Sequence, residues 1–247
     1  MIVDCFTFYN EIDVLKKRLR YLSPAIDRFV LVESTVTHRG DPKELYFENN
    51  KEQFSEWLDK ITHIIVDDNP VDEDPWSREN HQRNCILRGI EDLDDDDLVL
   101  ISDVDEIPNK HMLELPASVK GCSYHMIAFQ YNFKFMQTME PWYGTVLSRA
   151  KSVRTMTPQR LREMRWSLPH YSVSGWHLSS FGDAEFAANK NHHFAHCRDV
   201  IASSMTLEDF RRFVDDGIHS DGKHELTRTP ESVMSSLPDE IKCDYSR

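Results

Sequence analysis

The run Leu98-Val99-Leu100-Ile101 constrains the fold more than any other stretch of the chain. Four successive apolar residues leave no side for water. The run therefore reads as a strand covered on both faces, like the central strands of a parallel α/β sheet. Charge brackets it. Asp94-Asp95-Asp96-Asp97 precede it and read as an exposed turn, and Ser102-Asp103-Val104-Asp105-Glu106-Ile107-Pro108 follow it. A doubly covered strand needs helices on either side, and the sequence supplies them. Residues 2–8 read as a strand. Asn10 stands where a helix N-cap would, with Asp13 three residues on. Ile12, Leu15, Leu19 and Leu22 then recur at helical spacing, which predicts Lys16, Lys17, Arg18 and Arg20 on the outer face. Residues 29–33 are the next strand, closing a βαβ unit. A helix over 51–60, a strand over 61–66 and a helix over 77–93 continue the alternation, so a doubly wound α/β core is expected.

After Pro108 the pattern loosens. Residues 125–135 and 144–148 suit strands of a mixed sheet, and residues 158–166, 184–194 and 206–216 suit helices. The polar tail over 219–247 is expected to be partly mobile. The chain has 247 residues, enough for a substantial core. Its 29 basic against 42 acidic residues give a net charge of −13, which excludes a non-specific binder of nucleic acid or of anionic membranes. No apolar run reaches the length of a membrane span. Met1-Ile2-Val3-Asp4 has neither the basic nor the apolar region of a secretory leader, so a cytoplasmic chain is expected. Cys5, Cys85, Cys122, Cys197 and Cys243 are scattered, with no CxxC pair. They read as reduced, mostly buried thiols rather than a structural zinc motif.

Chemistry is concentrated beyond the central strand, since open α/β sheets bind ligands outside the carboxyl ends of their strands. Asp103 and Asp105 are two residues apart, so on an extended chain both carboxylates face one side. Two such oxygen donors suit Mg²⁺ or Mn²⁺, which complete their shells with phosphate and water. The cation then neutralises a departing diphosphate. Two other readings start from the same residues. Asp-x-Asp after an apolar strand also occurs in haloacid-dehalogenase-like phosphatases, where Asp103 would be the nucleophile. Against that stand its position far from the N-terminus, Ile107 in place of Thr or Val, and the lack of a matching downstream lysine and aspartate pair. A non-catalytic nucleotide-sugar-binding module is the third reading.

Residues 98–108, LVLISDVDEIP, resemble the signature of glycosyltransferase family 17, the family of β-1,4-mannosyl-glycoprotein N-acetylglucosaminyltransferases. Phe8-Tyr9-Asn10-Glu11, the FVLVES of residues 29–34, Leu45-Tyr46-Phe47, Arg83-Asn84, Trp142-Tyr143-Gly144-Thr145 and Gly175-Trp176-His177 fit the same family in order. The resemblance implies a GT-A-type glycosyltransferase fold, a Rossmann-like mixed sheet flanked by helices. It implies a single catalytic domain over 1–247, with a nucleotide-sugar-binding half (1–108), an acceptor-side half (109–216) and a C-terminal tail (217–247). The activity implied is metal-dependent, inverting transfer of GlcNAc from UDP-GlcNAc to a glycan hydroxyl, with Mn²⁺ or Mg²⁺ as cofactor.

Roles follow residue by residue. Asp103 and Asp105 fall on the family DxD, Asp105 for direct metal contact and Asp103 for metal, ribose or both. His177 is the expected third metal ligand, with His196 as rival. His192 and His193 read as surface or packing residues. Asn10, Glu11 and Glu33 follow the first two strands, where the base and ribose are expected, and Asn10 also competes for the capping role. Arg78 and Arg83, on the helix before the DxD strand, are expected to face the diphosphate, to which the planar guanidinium is suited. Asp183 and Glu185 are the candidate general bases, with Glu140 as a third, and both could equally be carboxylates at a helix N-terminus. Glu106 is open between a structural hydrogen-bonding role and a substrate contact. Trp142, Tyr143 and Trp176 are candidate sugar-stacking rings.

Overall fold

The computed structural model describes residues 1–71, 74–193 and 204–243. Strands β1 (Ile2–Phe8), β2 (Arg28–Ser34), β3 (Ile61–Val66) and β4 (Leu98–Asp103) are parallel and lie in the order β3-β2-β1-β4. Beyond Asp103 come β5 (Glu106–Pro108), β6 (Gly121–Gln130), β7 (Asn132–Arg149), β8 (His170–Tyr171), β9 (Gly175–Ser179) and β10 (Thr227–Arg228). The sheet continues from β4 through antiparallel β7 to β6, β9 and β5, so one mixed sheet carries both halves of the chain.

β4 is sealed on both faces, as its composition demands. Leu100 joins a core with Phe6, Phe8, Leu31 and the α1 residues (Ile12–Leu22) Leu15 and Leu19. Val99 and Ile101 join a second core with Val3, Val30, Val32 and Ile86 on the other side. The α/β class with a mixed sheet flanked by helices therefore stands.

Several elements differ from expectation. The region 51–60 holds α2 (Tyr46–Asn49) just before it and only a 3₁₀ turn over Lys51–Phe54. The helix expected over 77–93 is α3 (Pro75–Asn84), started by Asp74 as N-cap and Pro75 at N1 and continued as a 3₁₀ turn over Cys85–Gly89. There Gly89 packs so closely on Val30 that a Cβ would lie 2.5 Å from a valine methyl. The aromatic run 125–135 is not one strand. Tyr131, at φ 65°, turns the chain from β6 into β7. The helices α4 (Ala150–Met156) and α5 (Pro158–Glu163) follow β7. α6 (Ala184–His193) packs through Ala187 and Ala188 on Phe210 and Phe213 of α7 (Leu207–Asp216). α7 is fixed by a Thr206–Asp209 capping box and by Gly217 in the left-handed conformation at φ 73°.

The described part of the tail, up to residue 243, carries secondary structure of its own. It folds into α8 (Glu231–Ser236) and α9 (Asp239–Lys242), and Leu237 and Ile241 are buried in the same core as α1. The Lys17 ammonium donates to the Cys243 carbonyl. Ile241→Ala is expected to destabilise the protein by about 2–5 kcal/mol in urea unfolding, the usual cost of a large-to-small core change. A variant as stable as the parent would show that the tail contributes nothing to folding. Among the described residues no helix is long and apolar enough to cross a membrane.

Candidate active site

β4 ends at Asp103, and the chain turns through Val104 and Asp105 before rejoining the sheet as β5. A turn, not the alternation of an extended strand, therefore brings Asp103 and Asp105 to the same cleft, of about 840 Å³, at the carboxyl ends of β1 and β4. One side chain holds that turn. Arg18, expected on the outer face of α1, is 0% exposed. Its Nε and Nη2 donate to the Asp4 carboxylate at 2.8 and 2.6 Å. Nη2 also reaches Ser102 Oγ at 2.6 Å. Its Nη1 donates to the carbonyls of Asp103, Val104 and Glu106 at 3.2, 3.1 and 2.8 Å. The guanidinium thus ties β1 to the backbone on both sides of Asp105.

Asp103 is held by arginines. Its Oδ1 accepts from Arg83 at 2.9 Å and Thr7 at 3.1 Å, and its Oδ2 accepts from Arg162 of α5 at 3.0 Å. Burial opposes its charge, but Arg83 and Arg162 outweigh burial and hold its pKa well below the usual carboxylate range. Arg162 also donates to Glu106 and to the Gly144 carbonyl. Glu106, 0% exposed, accepts from the Trp142 indole at 2.9 Å and from the Asp103 amide at 3.1 Å, so it braces the turn from beneath. Nearby, Arg165 lines the cleft with a buried Nε that has no partner. Burial and then the neighbouring Arg162 lower its pKa to about 10, against the opposing charges of Glu106 and Asp103.

Asp105 faces different partners. Lys190 of α6 lies 2.7 Å from Asp105 Oδ2 and 2.9 Å from Glu11 Oε1. Burial opposes the ammonium, yet Asp105 and Glu11 hold its pKa above the ordinary lysine value. Burial also opposes the Glu11 charge, and Lys190 keeps that carboxyl below its usual value. His177, on β9 and paired in register with Glu106, presents Nε2 to Asp105 Oδ1 at 3.7 Å, beyond hydrogen-bond reach. Its Nδ1 is buried without a partner, and its ring stacks on Trp142 at 4.2 Å between centroids. Burial holds the imidazole below its ordinary pKa, hence neutral and able to ligate. A carboxylate oxygen and a neutral imidazole nitrogen, close but not bonded to each other, fit a divalent cation. Asp103, with both oxygens taken by arginines and Thr7, fits such an ion less well.

The remaining candidates divide. Glu11 and Arg83 line the cleft; Asn10, Glu33, Arg78, Asp183 and Glu185 do not. Helix α1 starts at Ile12 without a side-chain cap, and Asn10 Oδ1 is buried with no partner. Glu33 is fully buried beneath the cleft, bonded to the Phe47 amide at 3.2 Å and His63 at 3.1 Å. Arg78 donates to the His38 carbonyl at 3.0 Å. The Asp183 carboxylate accepts from the Phe186 amide at 2.8 Å, at the start of α6. Glu185 is exposed, 3.8 Å from Arg211. Glu140 is exposed on β7. Trp176 is buried edge-on against Tyr21, whereas His193 lines the cleft near Tyr9. His196 and Cys197 lie outside the described residues.

The site also contains residues that the sequence reading missed: Thr7, Arg162, Arg165 and Lys190. Only Arg162 left a sequence trace, as a charged position beside Leu161 in a short helix. Lys190 reaches Asp105 from 85 residues away, through packing that no local pattern records.

The chain is 24% identical over 185 residues to the beta-1,4-mannosyl-glycoprotein 4-beta-N-acetylglucosaminyltransferase of Rattus norvegicus, covering 69% of this chain and 34% of the relative. The Homo sapiens protein of the same name is also 24% identical, with 69% and 35% covered. The chain thus spans about a third of the length of these relatives. Among solved structures, a galactosyltransferase LgtC bound to donor and acceptor sugar analogs is 14% identical, with a TM-score of 0.34, covering 96% of this chain and 99% of that one. The family profile described as glycosyltransferase family 17 matches residues 1–220, from the first strand to beyond α7, and the chain belongs to that family.

Proposed function

We propose that this chain is a metal-dependent, inverting glycosyltransferase of GT-A type that moves GlcNAc from UDP-GlcNAc to a hydroxyl of a glycan acceptor. The observation that carries the reading is the corner formed by Asp105 and His177, beside a cleft wall of arginines. In this reading Asp105 and His177 hold Mn²⁺ or Mg²⁺, which when bound supplies positive charge to the leaving diphosphate. Asp103 works indirectly, by fixing Arg83 and Arg162 in place. Arg165 offers its unpaired guanidinium nitrogen to a phosphate oxygen. Tyr9, edge-on to Tyr46 and below Lys43, provides a platform for the base. Inversion needs one in-line displacement, with the acceptor hydroxyl opposite the departing group. Asp183 and Glu185 remain proposals for the base, and acceptor binding would have to bring α6 and the acceptor together for either to reach it. A phosphatase using Asp103 as nucleophile fits poorly, because neither carboxylate oxygen is free of a cationic donor.

The test is direct. With Mn²⁺ and a panel of nucleotide sugars and glycans, UDP release from UDP-GlcNAc is expected. Inorganic phosphate from a phosphomonoester would overturn the reading in favour of a phosphatase, and binding without turnover would leave a non-catalytic module. Arg165→Ala is expected to raise the KM for the donor about 10- to 100-fold, the loss of one charge-assisted hydrogen bond, with a smaller change in kcat. An unchanged KM would remove Arg165 from the donor site.

A further inference from the structure

Asp68, His81 and Cys85 form a second cluster, and none of the three lines the cleft. Asp68 lies two residues beyond the end of β3. His81 and Cys85 stand four apart, on one face of the helical run formed by α3 and the 3₁₀ turn after it. His81 Nε2 is 3.3 Å from Asp68 Oδ1 and 3.7 Å from Cys85 Sγ. One ring nitrogen carries one proton or one lone pair in the ring plane, so it cannot bond well to both partners at once. All three donor atoms lie within 4.8 Å of one another.

These separations suit one particular occupant. Tetrahedral zinc has bonds of about 2.0–2.2 Å to nitrogen and oxygen and about 2.3 Å to sulfur. Tetrahedral angles then set donor atoms roughly 3.4 Å apart for an N/O pair and roughly 3.6 Å apart for an N/S pair. We propose that Asp68, His81 and Cys85 form a zinc site, with water as the fourth ligand on the solvent side. Binding breaks the Cys85 S–H bond and forms a Zn–S bond, with one proton released to solvent; His81 ligates as neutral imidazole and Asp68 as carboxylate. Arg88 donates to Asp68 Oδ2 at 2.7 Å, which orients the carboxylate and leaves Oδ1 for the metal. Asp67 lies close enough to act on the Arg88 charge. Cys85, only 3% exposed, gives the soft donor a dry side, while exposed Asp68 leaves an entry path.

A metal here would clip the segment after β3 to α3, the helix that carries Glu79, Gln82 and Arg83 to the cleft wall. A search for CxxC spacing passes over such a site, because its ligands are an i, i+4 His/Cys pair and a distant carboxylate. The proposal does not depend on the glycosyltransferase reading.

The test uses the full chain, stripped with chelator and titrated with Co²⁺ and then Zn²⁺. The expected result is one equivalent of Co²⁺ giving a thiolate-to-cobalt charge-transfer band, displaced by Zn²⁺, with a raised thermal midpoint. His81→Ala and Asp68→Asn should each weaken Zn²⁺ binding at least tenfold, and Cys85→Ser should abolish the band. Asp105→Asn should leave the band intact, which separates this site from the cleft. Absence of the band in the parent, or equal Zn²⁺ affinity in Asp68→Asn and the parent, overturns the proposal. Asp68 is exposed, so its variant keeps the test decisive even if Cys85→Ser misfolds.

Discussion

Arg18→Met is expected to destabilise the protein by about 3–5 kcal/mol, the cost of breaking a buried ion pair from one side. The substitution leaves the Asp4 carboxylate 0% exposed and without its cation. It also strips the donor from the carbonyls of Asp103, Val104 and Glu106. A domain of this size is stable by only about 5–15 kcal/mol, so urea unfolding should register the change as a large fraction of the total. The double variant Asp4→Leu/Arg18→Met removes both charges and should recover much of the stability, since an apolar pair is often as stable as a buried ionic one. It should not recover activity, because the turn that presents Asp105 still lacks its hydrogen-bond donor. Recovery of both would show that Arg18 serves only to neutralise Asp4.

The Asp4–Arg18 pair is itself written in the sequence. An acid in the middle of the apolar strand Ile2–Phe8 requires a buried cation. Arg18 is the residue four before Leu22 and three after Leu15, hence next to the apolar face of α1 rather than opposite it. The apolar positions by themselves place it on the outer face; the acid on β1 is what calls it inward. The strands β1, β2 and β4 were legible because each is a dense apolar run buried almost throughout, and the edge strand β3 by its β-branched residues. The 3₁₀ turns were not, because Phe54, Trp57 and Leu58 recur at a spacing that suits a helix and a tight turn alike. The helices of the tail were not legible because its polar composition hides Leu237 and Ile241, which are buried in the core they share with α1. In the cleft, the DxD and Gly-Trp-His segments marked Asp105 and His177. The cations around them, Lys190 on Asp105 and Arg162 on Asp103 and Glu106, arrive from segments distant in sequence, which no local pattern links to the DxD. Asp183 and Glu185 follow Gly-Trp-His closely in sequence, which says little about where their carboxylates point. The turn after β9 instead spends Asp183 on starting α6 and leaves Glu185 on the surface.

Asp105→Ala is expected to reduce Mn²⁺-dependent UDP release at least about 10²–10³-fold, the scale seen when one transition-state-stabilising group is removed. The loss should fall on kcat and on Mn²⁺ binding together, because His177 alone is a poor site for a hard cation. The fold should survive. Lys190 keeps Glu11 at 2.9 Å, so no buried ammonium is left unpaired, and the turn itself is held by Arg18 and Glu106 through the backbone. Lys190→Ala gives the opposite result at the same place. It leaves Asp105 and Glu11, both nearly inaccessible, with no cation between them. Nearby opposite charge shifts a carboxylate by about 1–3 pKa units, so the exchange should tighten Mn²⁺ binding by about tenfold or more as the ion replaces the ammonium. Water proton relaxation measures both affinities on the same scale. Tighter binding in Lys190→Ala with weaker binding in Asp105→Ala would mark the lysine and the metal as competitors for one carboxylate. Equal Mn²⁺ affinity in parent and Asp105→Ala, with turnover retained, would move the metal away from Asp105 and take the transferase mechanism proposed here with it.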